Sequence, residues 1–81
     1  MTRYIATFFS HFGAVRFAHL CAERDWQAEV RPVPRSLSSS CGSCVYFTPE
    51  SEALAIKLRT PELEQLVRDE KGYPALYKAE D

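Results

Sequence analysis

The first third of the chain carries the clearest alternation of apolar and polar positions. Tyr4 to Phe9 is a short run of aromatic and β-favouring residues and predicts a buried strand. Ser10 stands where it can cap a following helix. From His11 to Asp25, Ala14, Phe17, Ala18 and Cys21 recur at helical spacing, widened by Val15, Leu20 and Ala22, and Glu23-Arg24-Asp25 closes the segment. Gly13 costs that helix up to about 1 kcal/mol relative to alanine. Trp26, just beyond, is expected to cover the sheet edge. Gln27 to Val33 alternates around Ala28, Val30 and Val33 and predicts a second strand, which Pro32 and Pro34 bias toward an edge position.

Residues 35–43 carry serine at five of nine positions and predict a loop. Cys44-Val45-Tyr46-Phe47 reads as a third strand. Beyond it the pattern points two ways. Thr48-Pro49-Glu50 and Thr60-Pro61-Glu62 both have the composition of a helix start. Yet Leu54, Ile56 and Leu58 alternate with Ala53, Ala55 and Lys57, which is strand periodicity. The alternation predicts a hairpin, with 48–52 as its loop and 53–59 as an extra strand; a short helix from Pro49 to Leu58 is the alternative. Pro61 to Glu70 is expected to be a helix with Leu63, Leu66 and Val67 on one face, ended by Gly72. Tyr73 to Lys78 closes the chain as a strand with Leu76 inward. The order β-α-β-β-(β)-α-β predicts an α+β fold, a two-layer α/β sandwich with a mostly antiparallel sheet and two helices on one face.

Composition narrows the function. The 81 residues are expected to form a single small domain, 1–81, with 10 basic and 11 acidic side chains and a net charge of −1. A balance this even offers no basic field for a nucleic-acid backbone and no polybasic segment for anionic lipid, so neither nucleic acid nor membrane is an expected partner. The aromatic residues are accordingly read as core rather than as a base-stacking surface. No apolar run approaches the length of a membrane span, and Ser10 and His11 interrupt the first one, so no signal peptide is expected and the location is read as cytoplasmic. Three cysteines, an odd number, argue against a secreted disulfide scaffold.

The chemistry is concentrated in Pro34-Arg35-Ser36-Leu37-Ser38-Ser39-Ser40-Cys41-Gly42-Ser43-Cys44, which sets two cysteines at C-x-x-C spacing behind a run of hydroxyl residues. A thiolate is a useful nucleophile when backbone N–H groups and nearby positive charge stabilise it near neutral pH. The Ser-Cys-Gly turn can supply the former to Cys41, and Arg35, or Arg31 across the bend, the latter. Ser38, Ser39, Ser40 and Gly42 complete the candidate site, with Gly42 allowing positive φ. Cys44, at the mouth of a strand, is either a resolving thiol or a core filler; Cys21 reads as core filler. A thioredoxin-type site would open a helix, whereas Cys44 leads into a strand. C-x-x-C supplies two of the four ligands that a structural zinc needs, so neither a metal nor another cofactor is expected, although a second copy of the chain could pool two such pairs. His11 and His19 are read as helix-surface histidines, and Glu50 and Glu52 as acids on a solvated turn.

The segment Val33-Pro34-Arg35-Ser36-Leu37-Ser38-Ser39-Ser40-Cys41-Gly42 resembles the signature of the selenium/sulfur carrier-like family, long catalogued as a domain of unknown function. The resemblance implies a small carrier that holds sulfur or selenium as a persulfide or perselenide on a cysteine, by analogy with TusA-type sulfur carriers, which share a two-layer α/β shape but have a Cys-Pro motif absent here. It gives Cys41 the carrier role, Gly42 the turn role and Arg35 the place of the signature arginine; Cys44 lies outside the signature. It implies donor and acceptor proteins as partners, a cysteine desulfurase among them, and a thiol-transfer protein rather than a true enzyme. A dithiol redox protein using Cys41 and Cys44, or an interaction module without cysteine chemistry, are the other readings of the same residues.

Overall fold

The computed structural model describes residues 2–79. Five strands and two helices follow in the order β1 (Tyr4–Phe8), α1 (His11–Glu23), β2 (Gln27–Pro32), β3 (Ser43–Thr48), α2 (Glu52–Lys57), β4 (Leu63–Arg68) and β5 (Ala75–Lys78). The strands form one sheet in the order β2-β3-β1-β4-β5, and each of the four pairings is antiparallel. The expected α+β class therefore holds, and β2, with Pro32 at its end, is an edge strand.

The N-terminal elements form as their residues dictate. The β1 strand is buried along its whole length, as expected of a central strand. Ser10 caps α1, its Oγ accepting from the Gly13 N–H at 3.1 Å. Ala14, Phe17 and Cys21 then turn inward from α1 onto the sheet. Phe17 and Phe47 meet edge to face with their ring centroids 5.0 Å apart, and Trp26 stacks on Phe47 at 6.2 Å. Gly13 is explained by packing rather than by helix preference: a Cβ there would stand 2.5 Å from the Cβ of Glu62.

Downstream of β3 two expectations are exchanged. Residues 53–59 do not form a strand; α2 covers Glu52–Lys57, and the shorter helix alternative is the better description. Its cap is Ser51, not Thr48, with the Leu54 N–H donating to Ser51 Oγ at 3.2 Å. Ala55 and Leu58, three apart, are the buried positions, and Leu54 faces solvent. Pro61 to Glu70, expected as a helix, contains β4 instead, paired with β1 on one side and β5 on the other. Gly72, at φ +82°, belongs to the turn between β4 and β5 rather than to a helix end. Glu52 is also not on a solvated turn: its Oε1 accepts from Arg68 at 2.7 and 2.9 Å and from the Tyr4 hydroxyl at 3.2 Å, which ties α2 to the sheet.

Alternation in the strands divides the interior in two. Tyr4, Ala6, Phe8, Val45, Phe47, Leu63 and Leu66 face the helices and join Phe17, Cys21, Trp26, Ala55 and Leu58 in the main core. Ile5, Cys44 and Val67 face the other way and form a smaller cluster with Leu37, flanked by Val33, Tyr46 and Tyr73. Among the described residues no helix covers that second face; the segment between β2 and β3 folds over it.

Candidate functional site

The β2–β3 connection is an ordered loop whose ends meet. The Val33 N–H donates to the Gly42 carbonyl at 3.0 Å, and Leu37 N–H to the Pro34 carbonyl at 3.0 Å. Leu37, 8% exposed, drops its side chain into the second cluster and anchors the middle of the loop. The serine run that follows is held to β4. Gln65 Nε2 donates to the Ser38 carbonyl at 3.2 Å, and the Ser40 N–H donates to Glu64 Oε1 at 3.0 Å while the Ser40 hydroxyl donates to the other carboxylate oxygen. Ser38, Ser39, Ser40, Glu64, Gln65 and Lys78 line a surface cleft of about 420 Å³.

Glu64 reaches this loop because of a β-bulge. Thr7 pairs with Gln65 and Phe8 with Leu63, so Glu64 is the extra residue on β4. Its carboxylate takes the Thr7 hydroxyl at 3.3 Å as well as the two Ser40 bonds. Burial alone would raise this carboxyl; the bonds from Ser40 and Thr7 outweigh it and hold the group below the usual carboxylate range.

One residue after this clamp comes Cys41. It is half-buried against the helix-side core, with Sγ 3.4 Å from both the N–H and the carbonyl of Ser43. The backbone then turns at Gly42, which has φ +78°, and a Cβ placed there would meet nothing within 4 Å. Ser43 opens β3, and its hydroxyl lies 3.0 Å from Nδ1 of His11 at the start of α1.

The two cysteines of the C-x-x-C pair have different surroundings. Cys44 sits opposite Thr7 in β3, is wholly buried in the second cluster, and has Sγ 3.7 Å from the Pro32 carbonyl. Burial pushes its thiol up to about 11, against a smaller lowering by Arg31. Cys21 is buried in the main core and pushed up to about 12 for the same reason. All three are free thiols.

Of the arginines, Arg31 pairs in register with Cys44, bonds Glu29, and lies 4.7 Å from the Tyr46 ring centroid. Arg35 is exposed on the loop and makes no salt bridge among the described residues. Also among the described residues, no three His, Cys, Asp or Glu side chains gather as a metal site, and no helix is long and apolar enough to cross a membrane.

Sequence reasoning missed two residues here, His11 and Glu64. They lie 32 and 24 positions from their partners Ser43 and Ser40, so no local spacing connects them.

The fold and the site together define a small α+β chain that presents one partly accessible thiol at the rim of a clamped serine loop. The chain belongs to the Putative Se/S carrier protein-like family, whose pattern matches residues 3–60. Comparison with curated proteins and with solved structures finds no match. The matched span runs from the residue before β1 through α2 and includes the serine loop; it ends before β4, so the Glu64 clamp lies outside it.

Proposed function

We propose that this chain carries sulfur or selenium as a persulfide or perselenide on Cys41. The observation that carries the reading is the exposure of the three thiols: Cys21 and Cys44 are each 0% exposed, and Cys41, inside the family's match, is the one within reach of a partner. In the transfer, the Cys41 thiolate attacks the terminal sulfur of a persulfide on a donor protein. The donor's S–S bond breaks, its electron pair leaves on the donor cysteine as a thiolate, and a new S–S bond forms on Cys41. No external oxidant or reductant is consumed, and delivery to an acceptor thiolate is the same step in reverse.

The surrounding residues suit this role. The Ser43 N–H is placed to donate to Sγ, and the open space beside Gly42 leaves room for a second sulfur atom and for a partner. Ser38, Ser39 and Ser40 hold the loop, and exposed Arg35 offers a positive charge to the partner's surface. Donor and acceptor proteins are the expected partners, a cysteine desulfurase among the donors, in a cytoplasmic setting where thiols stay reduced. A Cys41–Cys44 redox couple is less well supported, since Cys44 is enclosed in the cluster on the far side of the sheet.

The test is incubation with a cysteine desulfurase and cysteine, followed by mass spectrometry. Cys41 should gain about 32 Da, the mass of one sulfur atom, and Cys41→Ser should gain nothing. Absence of the adduct, with Cys41 also unreactive toward alkylation at neutral pH, refutes the proposal.

A further inference from the structure

We propose that His11 is a positioning residue for the Cys41 sulfur, acting through Ser43, and that the charge on its imidazole sets how readily Cys41 reacts. The inference rests on the carrier reading of Cys41 and adds to it a residue from a different element.

The geometry is a relay of two contacts. His11 Nδ1 lies 3.0 Å from the Ser43 hydroxyl, and the Ser43 backbone offers Cys41 Sγ an N–H and a carbonyl, each at 3.4 Å. Ser43 is therefore fixed from two sides, by its strand pairing with Pro32 and by the first residue of α1. A thiol donates to the Ser43 carbonyl; a thiolate accepts from the N–H and finds the carbonyl repulsive. The balance depends on how the Ser43 peptide is held, and an imidazolium on the Ser43 side chain adds positive charge that favours the thiolate.

The charged groups of the neighbouring elements have partners of their own. On its own helix, Arg16 lies 3.8 Å from Glu62, which comes from the connection between α2 and β4. Glu64 of β4 is engaged by Ser40 and Thr7, and Arg31 of β2 by Glu29. The hydrogen-bond partner of the imidazole is the Ser43 hydroxyl.

Iodoacetamide alkylation of the full chain, read site by site by mass spectrometry across the neutral pH range, tests the inference without any cargo. The wild-type rate should depart from a single thiol titration, with a second inflection below it as the imidazole gains its charge. His11→Gln keeps a polar contact to Ser43 but carries no charge. It should erase that inflection and slow Cys41 about three- to fivefold on its acid side, where the imidazole is charged, with the rates converging above it. Ser43→Ala cuts the link and should erase the same inflection; it decides the matter if His11→Gln fails to fold. Superimposable profiles, or a loss that is equal at every pH, overturn the inference. Sulfur loading measured in parallel keeps the two readings apart: a loaded Cys41 that ignores His11 leaves the carrier standing and removes only the relay.

Discussion

Replacing Glu64 with alanine should loosen the loop that precedes Cys41. The carboxylate takes the Ser40 N–H at 3.0 Å, the Ser40 hydroxyl, and the Thr7 hydroxyl at 3.3 Å. A hydrogen bond to a charged group contributes about 1.5–3 kcal/mol when well shielded. Glu64 is only half-buried, the Thr7 contact is long, and water replaces part of what is lost, so the set is worth about 2 kcal/mol at neutral pH. For a chain of this size that corresponds to a fall in Tm of about 10 °C. Glu64→Gln, which keeps an acceptor but no charge, should lose about half as much.

The contribution also has a definite pH dependence. The folded Glu64 carboxyl is held below its ordinary range, so its stabilisation is present above the unfolded value, about 4.3, and is lost as pH falls through the folded one. Thermal melts of wild type and Glu64→Ala should therefore converge in acid. Hydrogen exchange adds a local readout, because the Ser40 amide donates directly to the carboxylate and should lose protection before the β1 amides do. An unchanged Ser40 exchange rate with an unchanged Tm at neutral pH, or a stability gap that persists undiminished in acid, would refute the reasoning.

Three further outcomes follow from single positions. Gly13→Ala should destabilise by about 1–2 kcal/mol in chemical denaturation despite improving helix preference, because the new Cβ would meet Glu62 Cβ at 2.5 Å; a more stable variant contradicts this. Gly42→Ala should fold but lose about 1 kcal/mol, since φ +78° is strained for alanine while the space beside it is open, and Gly42→Asn should lose less; equal urea midpoints for alanine and glycine would count against it. Alkylation at neutral pH should modify Cys41 while sparing Cys44 and Cys21, whose thiols burial raises to about 11 and about 12, until denaturant is added; Cys44 reacting as fast as Cys41 would contradict the burial argument.

The first half of the fold was legible because its signals are local. A β-rich run, a serine cap and an apolar helical stripe each lie within one element, and β1, α1, β2 and β3 formed where those signals stand. The second half shows why periodicity can mislead. On a regular strand, residues that share a face are two apart. The bulge at Glu64 adds one residue, so Leu63 and Leu66 face the same core although they are three apart, and Val67 turns to the other face, which is also covered. Positions 63, 66 and 67 thereby imitate a helical stripe, and Thr60-Pro61-Glu62 supplies what looks like its start. The reverse holds in α2, where alternating Leu54, Ile56 and Leu58 suggest a strand. One six-residue helix that buries only Ala55, with Leu58 buried at its cap, is too short to establish a period of its own.

The site divides along the same line. Ser38, Ser39, Ser40, Cys41 and Gly42 are contiguous, and the loop they were expected to form is where the structure has it. Its partners Glu64 and His11 come from β4 and α1 and become neighbours only when the sheet closes, so nothing in their local sequence marks them. The equivalence suggested by C-x-x-C fails for a related reason. Between the two cysteines the backbone passes through the positive φ of Gly42 and enters β3 at Ser43, and from there strand alternation governs which face each side chain takes. Cys44 falls on the face that Leu37 covers, while Cys41 stays on the loop side of the turn, against the helix-side core. Among the described residues, the second face of this sheet is thus closed by the serine loop itself rather than by a helix. Burying Leu37 and Cys44 and holding Cys41 at the rim are two results of one packing arrangement, so a substitution that releases Leu37 should disturb the sulfur site as well as the core.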